Sequence, residues 1–114
     1  MKKILVAVSG GVDSVVLLGF LAKNFPRENL IVAHFEHGIR GQESLRDLEF
    51  VRNLAEKYGV KFEFAHGNLG ENASEEQART ARYDFLRNLA EKFDAEIFTA
   101  HHKNDLAETF ALNL

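Results

Sequence analysis

At 114 residues, with 46% hydrophobic and 27% charged positions, the chain has the length and apolar content of one domain around a single core. The absence of cysteine excludes disulfide frameworks, thiolate zinc sites, iron–sulfur clusters and persulfide chemistry, and a net charge of −3 lacks the overall basic footprint of a free-standing nucleic-acid binder. No apolar run reaches the about 18 residues of a membrane span, and MKKILVAVSGG is too short in its apolar part for a leader peptide, so a soluble, cytoplasmic protein with no membrane contact is expected.

Apolar runs of strand length alternate with segments of helical period, the pattern of a parallel sheet covered by helices. A first strand is predicted over 3–8 (KILVAV), followed by the loop SGGVDS at 9–14 and a helix over 13–24 that ends before Pro26. A second strand over 30–35 (LIVAHF) leads to a helix over 43–58, where Leu45, Leu48, Val51, Leu54 and Ala55 make one apolar stripe. Gly59 stands at the expected C-cap, ahead of a third strand over 60–65 (VKFEFA) and a polar loop, GNLGENAS, at 67–74. Ser74 and Gln77 have capping-box spacing at the start of a helix over 74–93. A fourth strand over 95–100 (AEIFTA) and a fourth helix over 104–113 complete the predicted elements.

The segment FVRNLAEKYGVKFEFAH at 50–66 aligns without gaps to FLRNLAEKFDAEIFTAH at 85–101, with nine identities in 17 positions. Convergence of two amphipathic helix–strand units and duplication or consensus-like design both account for this echo. Its useful feature is the shared ending: the second, third and fourth strands finish in Ala33-His34, Ala65-His66 and Ala100-His101. In a parallel sheet these ends share the carboxyl edge, where open α/β sheets bind ligands, so three histidines face the same side as SGGVDS.

A glycine-rich loop between a strand and a helix offers backbone N–H donors and a partially positive helix N-terminus, which suits phosphate. SGGVDS is not a GxxxxGK[ST] loop, since no lysine lies between Lys3 and Lys23, and its adjacent glycines exclude GxGxxG. The competing structural reading has Asp13 or Ser14 capping the helix while the glycines make the turn. In HHKNDLAET, His101, Asp105 and Glu108 fall at i, i+4, i+7 and would share a helix face able to hold a transition metal. Alternatively Asn104 or Asp105 caps that helix, or the segment shares Mg²⁺ or phosphates with SGGVDS. Arg79 and Arg82, one turn apart, either grip phosphates or lie on a solvated face stitched by weak ion pairs. HFEHGIRGQES places His34, His37 and Arg40 in a polar loop at the same edge.

These segments together resemble the N-type ATP pyrophosphatases, the PP-loop family. SGGVDS is similar to its SGGxDS pyrophosphate loop. The remaining motifs are closest to the N-terminal domain of the tRNA(Ile)-lysidine synthetases. HFEHGIRGQES is similar to H-x-N/D-H-G-L-R-G-x-E-S, ARTARYDFL to A-R-x-x-R-Y-x-F-L, and TAHHKNDLAET to T-A-H-H-x-x-D-Q-x-E-T. The resemblance implies an α/β three-layer sandwich, Rossmann-like, with a parallel sheet of order 3-2-1-4 and right-handed crossovers. It implies a ligase core that binds ATP and Mg²⁺. Such enzymes adenylate the C2 oxygen of a tRNA anticodon cytidine, release pyrophosphate, and let the amine of free lysine displace AMP.

Carried over by position, Ser9, Gly10, Gly11 and Ser14 would hold the ATP phosphates and Asp13 would help bind Mg²⁺. Arg82, with Arg79, would contact the phosphates or the activated base, His101 and Asp105 would border the reaction centre, and His34 and Arg40 would lie near the nucleotide. Glu36 stands where Asn or Asp is usual, Leu106 where Gln is usual, and His66 has no family counterpart. The chain stops where the family continues into a further strand, helices and tRNA-engaging domains, so residues 1–114 are expected to be an incomplete core whose open sheet edge favours self-association. Two rival readings are a non-catalytic nucleotide-binding or structural remnant or engineered fragment, and a PP-loop ATP pyrophosphatase acting on a small molecule.

Overall fold

The computed structural model describes residues 2–36, 42–67, 72, 74–103 and 106–112. Strand β1 (Lys3–Ala7) is followed by helix α1 (Val12–Asn24), β2 (Leu30–Glu36), α2 (Gln42–Tyr58), β3 (Lys61–His66), α3 (Glu75–Phe93), β4 (Ala95–Lys103) and β5 (Leu106–Leu112). The sheet order is β3-β2-β1-β4-β5. The first four strands are parallel, with Leu5 opposite Ile31 on one side and Ile97 on the other, as the predicted 3-2-1-4 order requires. No helix among the described residues is long and apolar enough to cross a membrane.

Strand side chains alternate between faces, and the central strands are apolar at both parities because helices cover both faces. On one face Ile4, Val6, Val8, Leu30 and Val32 pack under Leu17, Leu18 and Leu21 of α1 and Val51 and Ala55 of α2. On the other, Leu5, Ile31, Ala33 and Ile97 pack against Leu86 and Leu89 of α3. The three layers follow from this division.

The predicted capping box forms at the start of α3, where Gln77 N donates to Ser74 Oγ at 3.1 Å and Ser74 N donates to Gln77 Oε1 at 2.9 Å. The sequence echo is also structural. Gly59 (φ +68°) and Asp94 (φ 50°) occupy equivalent positions in the two copies, and each takes the left-handed conformation that turns a helix into the next strand. The copies dock on opposite faces, α2 beside α1 and α3 across the sheet.

The predicted fourth helix is not formed. Residues 106–112 are instead strand β5, antiparallel to β4, and β4 runs on to Lys103. The segment LAETFAL satisfies both periods, and the unpaired hydrogen-bonding groups along the outer side of β4 decide in favour of the strand. Two expectations change with it. His101 lies opposite Glu108 in the β4–β5 register, so the i, i+4, i+7 helix face proposed for a metal does not exist. The β4 edge expected to drive self-association is already paired, leaving β3 and β5 as the outer strands of the described sheet.

Leu18 is fully buried between α1 and the sheet. Leu18→Ala is expected to lower the unfolding free energy by about 2–5 kcal/mol, read from the shift in a urea denaturation midpoint at unchanged slope.

Candidate functional site

The end of β1 fixes where the loop begins. Val8 still pairs with the sheet, its N–H donating to Ala33 O at 2.9 Å, and the chain then leaves at the carboxyl edge to enter α1. Gly10 has φ +102°, a conformation that side-chain-bearing residues rarely adopt. Gly11 is the N-cap of α1 and contributes no side-chain cap, so neither Asp13 nor Ser14 caps the helix as the structural reading supposed. The first turn of α1 therefore keeps its N-terminal dipole uncovered by a capping side chain.

The two serines brace this turn. Ser14 is buried, and its Oγ donates to Gly11 O at 3.0 Å while accepting from Ser9 N at 3.2 Å. Ser9 Oγ accepts from Gly11 N at 3.3 Å and lies 3.3 Å from Ser14 Oγ. Each hydroxyl thus holds the backbone of the segment that carries the other. From α2, Asp47 comes against the loop: a Cβ placed on Gly10 would lie 3.5 Å from its Oδ1. Helix periodicity gave no sign that this carboxylate, among the many charges of 43–58, would be the one facing SGGVDS.

His34 lies beneath the loop. It is 4% exposed, with Nδ1 2.8 Å from Val8 O. A carbonyl only accepts, so Nδ1 carries the hydrogen and the imidazole ties β2 to the last sheet-bound residue of β1. Two residues on, on the same face, Glu36 accepts a 2.7 Å bond from His66 Nδ1. Ser9, Gly10, Gly11, Asp13, Ser14, His34, Glu36, His66 and Asp47 are thus gathered at the carboxyl edge on the side of α1 and α2.

Arg79 and Arg82 are on α3, across the sheet, exposed, with their guanidinium carbons 5.7 and 5.3 Å from the Tyr83 ring centroid. At 1.5 Å per residue, Arg79 stands about 6 Å and Arg82 about 10 Å down the helix from its N-terminus. For His101 the structure describes the strand position only, and Arg40 and Asp105 lie outside the described residues. Among the described residues no three histidine, aspartate or glutamate side chains converge as a metal site.

Comparison with known proteins bears on this arrangement. A tRNA(Ile)-lysidine synthase of Rickettsia bellii is 40% identical over 100% of the chain and 27% of its own length, and one of Thermotoga maritima is 42% identical over 95% of the chain and 28% of its own. The chain spans about a quarter of the length of these relatives. Among solved structures, the U34-tRNA thiolase NcsA of Methanococcus maripaludis superposes with a TM-score of 0.74 at 23% identity, over 91% of this chain and 40% of that one. The NH3-dependent NAD synthetase of Campylobacter jejuni superposes with a TM-score of 0.62 at 15% identity, over 83% and 45%. The likeness to these two is one of fold. The family model described as the PP-loop domain matches residues 1–114, and with the braced glycine loop at the end of β1 it establishes that the chain belongs to the PP-loop family.

Proposed function

We propose that this chain is the ATP-binding core of a tRNA(Ile)-lysidine synthase-type ligase, in which a tRNA cytidine is adenylated at the expense of ATP, with release of pyrophosphate, and then attacked by lysine. The observation that carries this reading is the SGGVDS loop, a braced, uncapped helix N-terminus at the carboxyl end of a central parallel strand. Identity of about 40% to lysidine synthases along the whole chain supports the reaction class. In this reading the backbone N–H groups of 9–14 and the dipole of α1 take up the β- and γ-phosphates. Ser9 and Ser14 keep the loop in shape and exchange part of their internal bonding for phosphate oxygens.

Magnesium fits the donor chemistry. Asp13 in the first turn of α1 and Asp47 against Gly10 are oxygen donors of the kind Mg²⁺ takes, one or two carboxylates with substrate phosphates completing the set. When bound, the ion would neutralise charge on the phosphates. Arg82, with Arg79, would contact the phosphates or the activated base from the α3 side, while His101 and Asp105 would border the reaction centre and His34 and Arg40 would lie near the nucleotide. Adenyl transfer needs positioning and charge neutralisation, and no covalent nucleophile from the protein.

One observation favours a second reading. A net charge of −3 gives this domain little electrostatic attraction for RNA, which suits a small-molecule acceptor. That reading expects AMP and pyrophosphate from ATP without RNA. A chain that binds ATP but never forms AMP, with or without tRNA and lysine, would be a non-catalytic nucleotide-binding module.

Calorimetric titration with a non-hydrolysable ATP analogue and Mg²⁺ is expected to give saturable binding. The Asp13→Ala, Ser14→Ala double variant should lose at least about tenfold in affinity, or about 1.4 kcal/mol, with an unchanged far-UV spectrum. A folded parent that fails to bind the analogue would overturn the assignment. Gly10→Ala forces a side chain to φ +102° in a spot where the added Cβ makes only ordinary contact with Asp47, so the cost lies in the backbone. It should destabilise the fold by about 1–2 kcal/mol, measured by denaturant unfolding, and weaken analogue binding in the same protein.

A further inference from the structure

Strand β3 (Lys61–His66) is an outer strand of the described sheet, paired on one side only, to β2. Its last contact fixes the direction of its free hydrogen-bonding groups. A residue's N–H and C=O leave a strand on the same side, and the side alternates from one residue to the next. Gly67 N donates to Glu36 O at 2.6 Å, so the odd-numbered residues of β3 turn their backbone groups toward β2. Phe62 and Phe64 therefore turn theirs outward, where no strand among the described residues receives them. Outer strands are commonly blunted by a bulge, a proline or repelling charge. β3 has an unbroken register with β2 from Lys61 to His66, contains no proline, and carries one base and one acid, Lys61 and Glu63, on the face away from α2. On the other face Phe64 is 40% exposed and stacks on Phe62 with ring centroids 5.6 Å apart.

We propose that β3 pairs antiparallel with β3 of a second copy of this chain, in the register that sets Phe62 opposite the partner's Phe62 and Lys61 opposite the partner's Glu63. The inference is independent of the nucleotide reading. A two-fold contact is self-complementary, so a strand that carries both halves of an ion pair on one face satisfies the pair twice. In this register Phe62 and the partner's Phe62 exchange N–H to O bonds. Phe64 stands opposite the partner's Val60, an aromatic against a β-branched side chain. Lys61 and the partner's Glu63 then form the closer, non-hydrogen-bonded kind of pair, with Cα atoms about 4.5 Å apart. Within one chain the same two side chains come only to 4.0 Å, and both keep solvent exposure. A slip of two residues in one direction sets Lys61 against the partner's Lys61, and in the other Glu63 against the partner's Glu63. Like charges directly opposite are destabilising, so charge selects the register. The two halves run in opposite directions, and the SGGVDS loops open at opposite edges of one continuous sheet.

The test is sedimentation equilibrium of the full chain. A contact of one short strand is small, so the wild type is expected to dimerise with Kd about 10–100 µM. Lys61→Glu sets acid against acid at both ion pairs, and Glu63→Lys sets base against base. Each should weaken the dimer at least about tenfold with an unchanged far-UV spectrum. Mixed in equal amounts, the two variants should recover a dimer of about wild-type strength, since every acid of one then meets a base of the other. If either variant loses its fold, Glu63→Gln decides instead: a dimer weakened about threefold supports the pairing, and an unchanged Kd overturns it. A folded wild type that stays monomeric to about 1 mM overturns the proposal. So does a wild-type dimer that both charge variants retain, which would put the contact elsewhere, as on the exposed Val12, Val16 and Phe20 of α1. Failure of the mixture to dimerise overturns the register, and the proposal with it.

Discussion

The burial of β1 on every side is the constraint from which the site follows. Leu5 and Val6 are inaccessible to solvent, one from each face, and the strand is hydrogen-bonded to β2 on one edge and β4 on the other. A strand held in this way has no freedom to shift register, because a slip of one residue would exchange its two apolar faces and both helical layers would lose their fit. The chain therefore emerges at one fixed point on the carboxyl edge. From there the glycines have only to reverse the chain into α1, and the helix points its N-terminus at the same spot. The His34 bond to Val8 O extends this rigidity one residue further, to the threshold of the loop.

Rigidity at the base and bracing within the loop have an energetic meaning for binding. A loop that must be ordered by its ligand charges that ordering against affinity, whereas a loop already held by four hydroxyl contacts has met much of the cost during folding. The brace is made of weak, partly exposed bonds of 3.0–3.3 Å, which an anion can replace without breaking the sheet. Strong scaffolding below and exchangeable bonds above suit the proposed role of the loop in admitting and releasing a triphosphate.

Much of this was legible in the sequence. KILVAV and LIVAHF are apolar at both parities and so announce strands covered on both faces, and Ser74 with Gln77 announces the start of α3. The sequence also placed SGGVDS correctly between a strand and a helix. What failed had a common cause. LAETFAL fits a helix and a strand equally, and only the free edge of β4, a tertiary fact, settles it. Asp47 and Gly10 are distant in sequence, as are Glu36 and His66, and no local pattern marks either pair. The bond from the buried His34 to Val8 O is likewise a contact between strands that no local pattern marks. Local rules read elements well, and pairings across the sheet are where they stop.

The two echoed helix–strand units carry a consequence for how the chain reaches this state. Each has the same octet frame, Phe-x-Arg-Asn-Leu-Ala-Glu-Lys, and the same left-handed exit at Gly59 or Asp94, yet one must dock at the sheet margin and the other beside β1 on the opposite face. Early in folding, either unit has the right shape for either berth. What separates them is connection length and the residues after the exit: Ala95, Ile97 and Thr99 are small or branched enough to lie under α3, while Phe62 and Phe64 stack in a ladder that suits an outer strand. Sorting two near-copies is a source of transient mispairing. The same resemblance would make exchange of one unit between neighbouring molecules a low-cost error at high concentration.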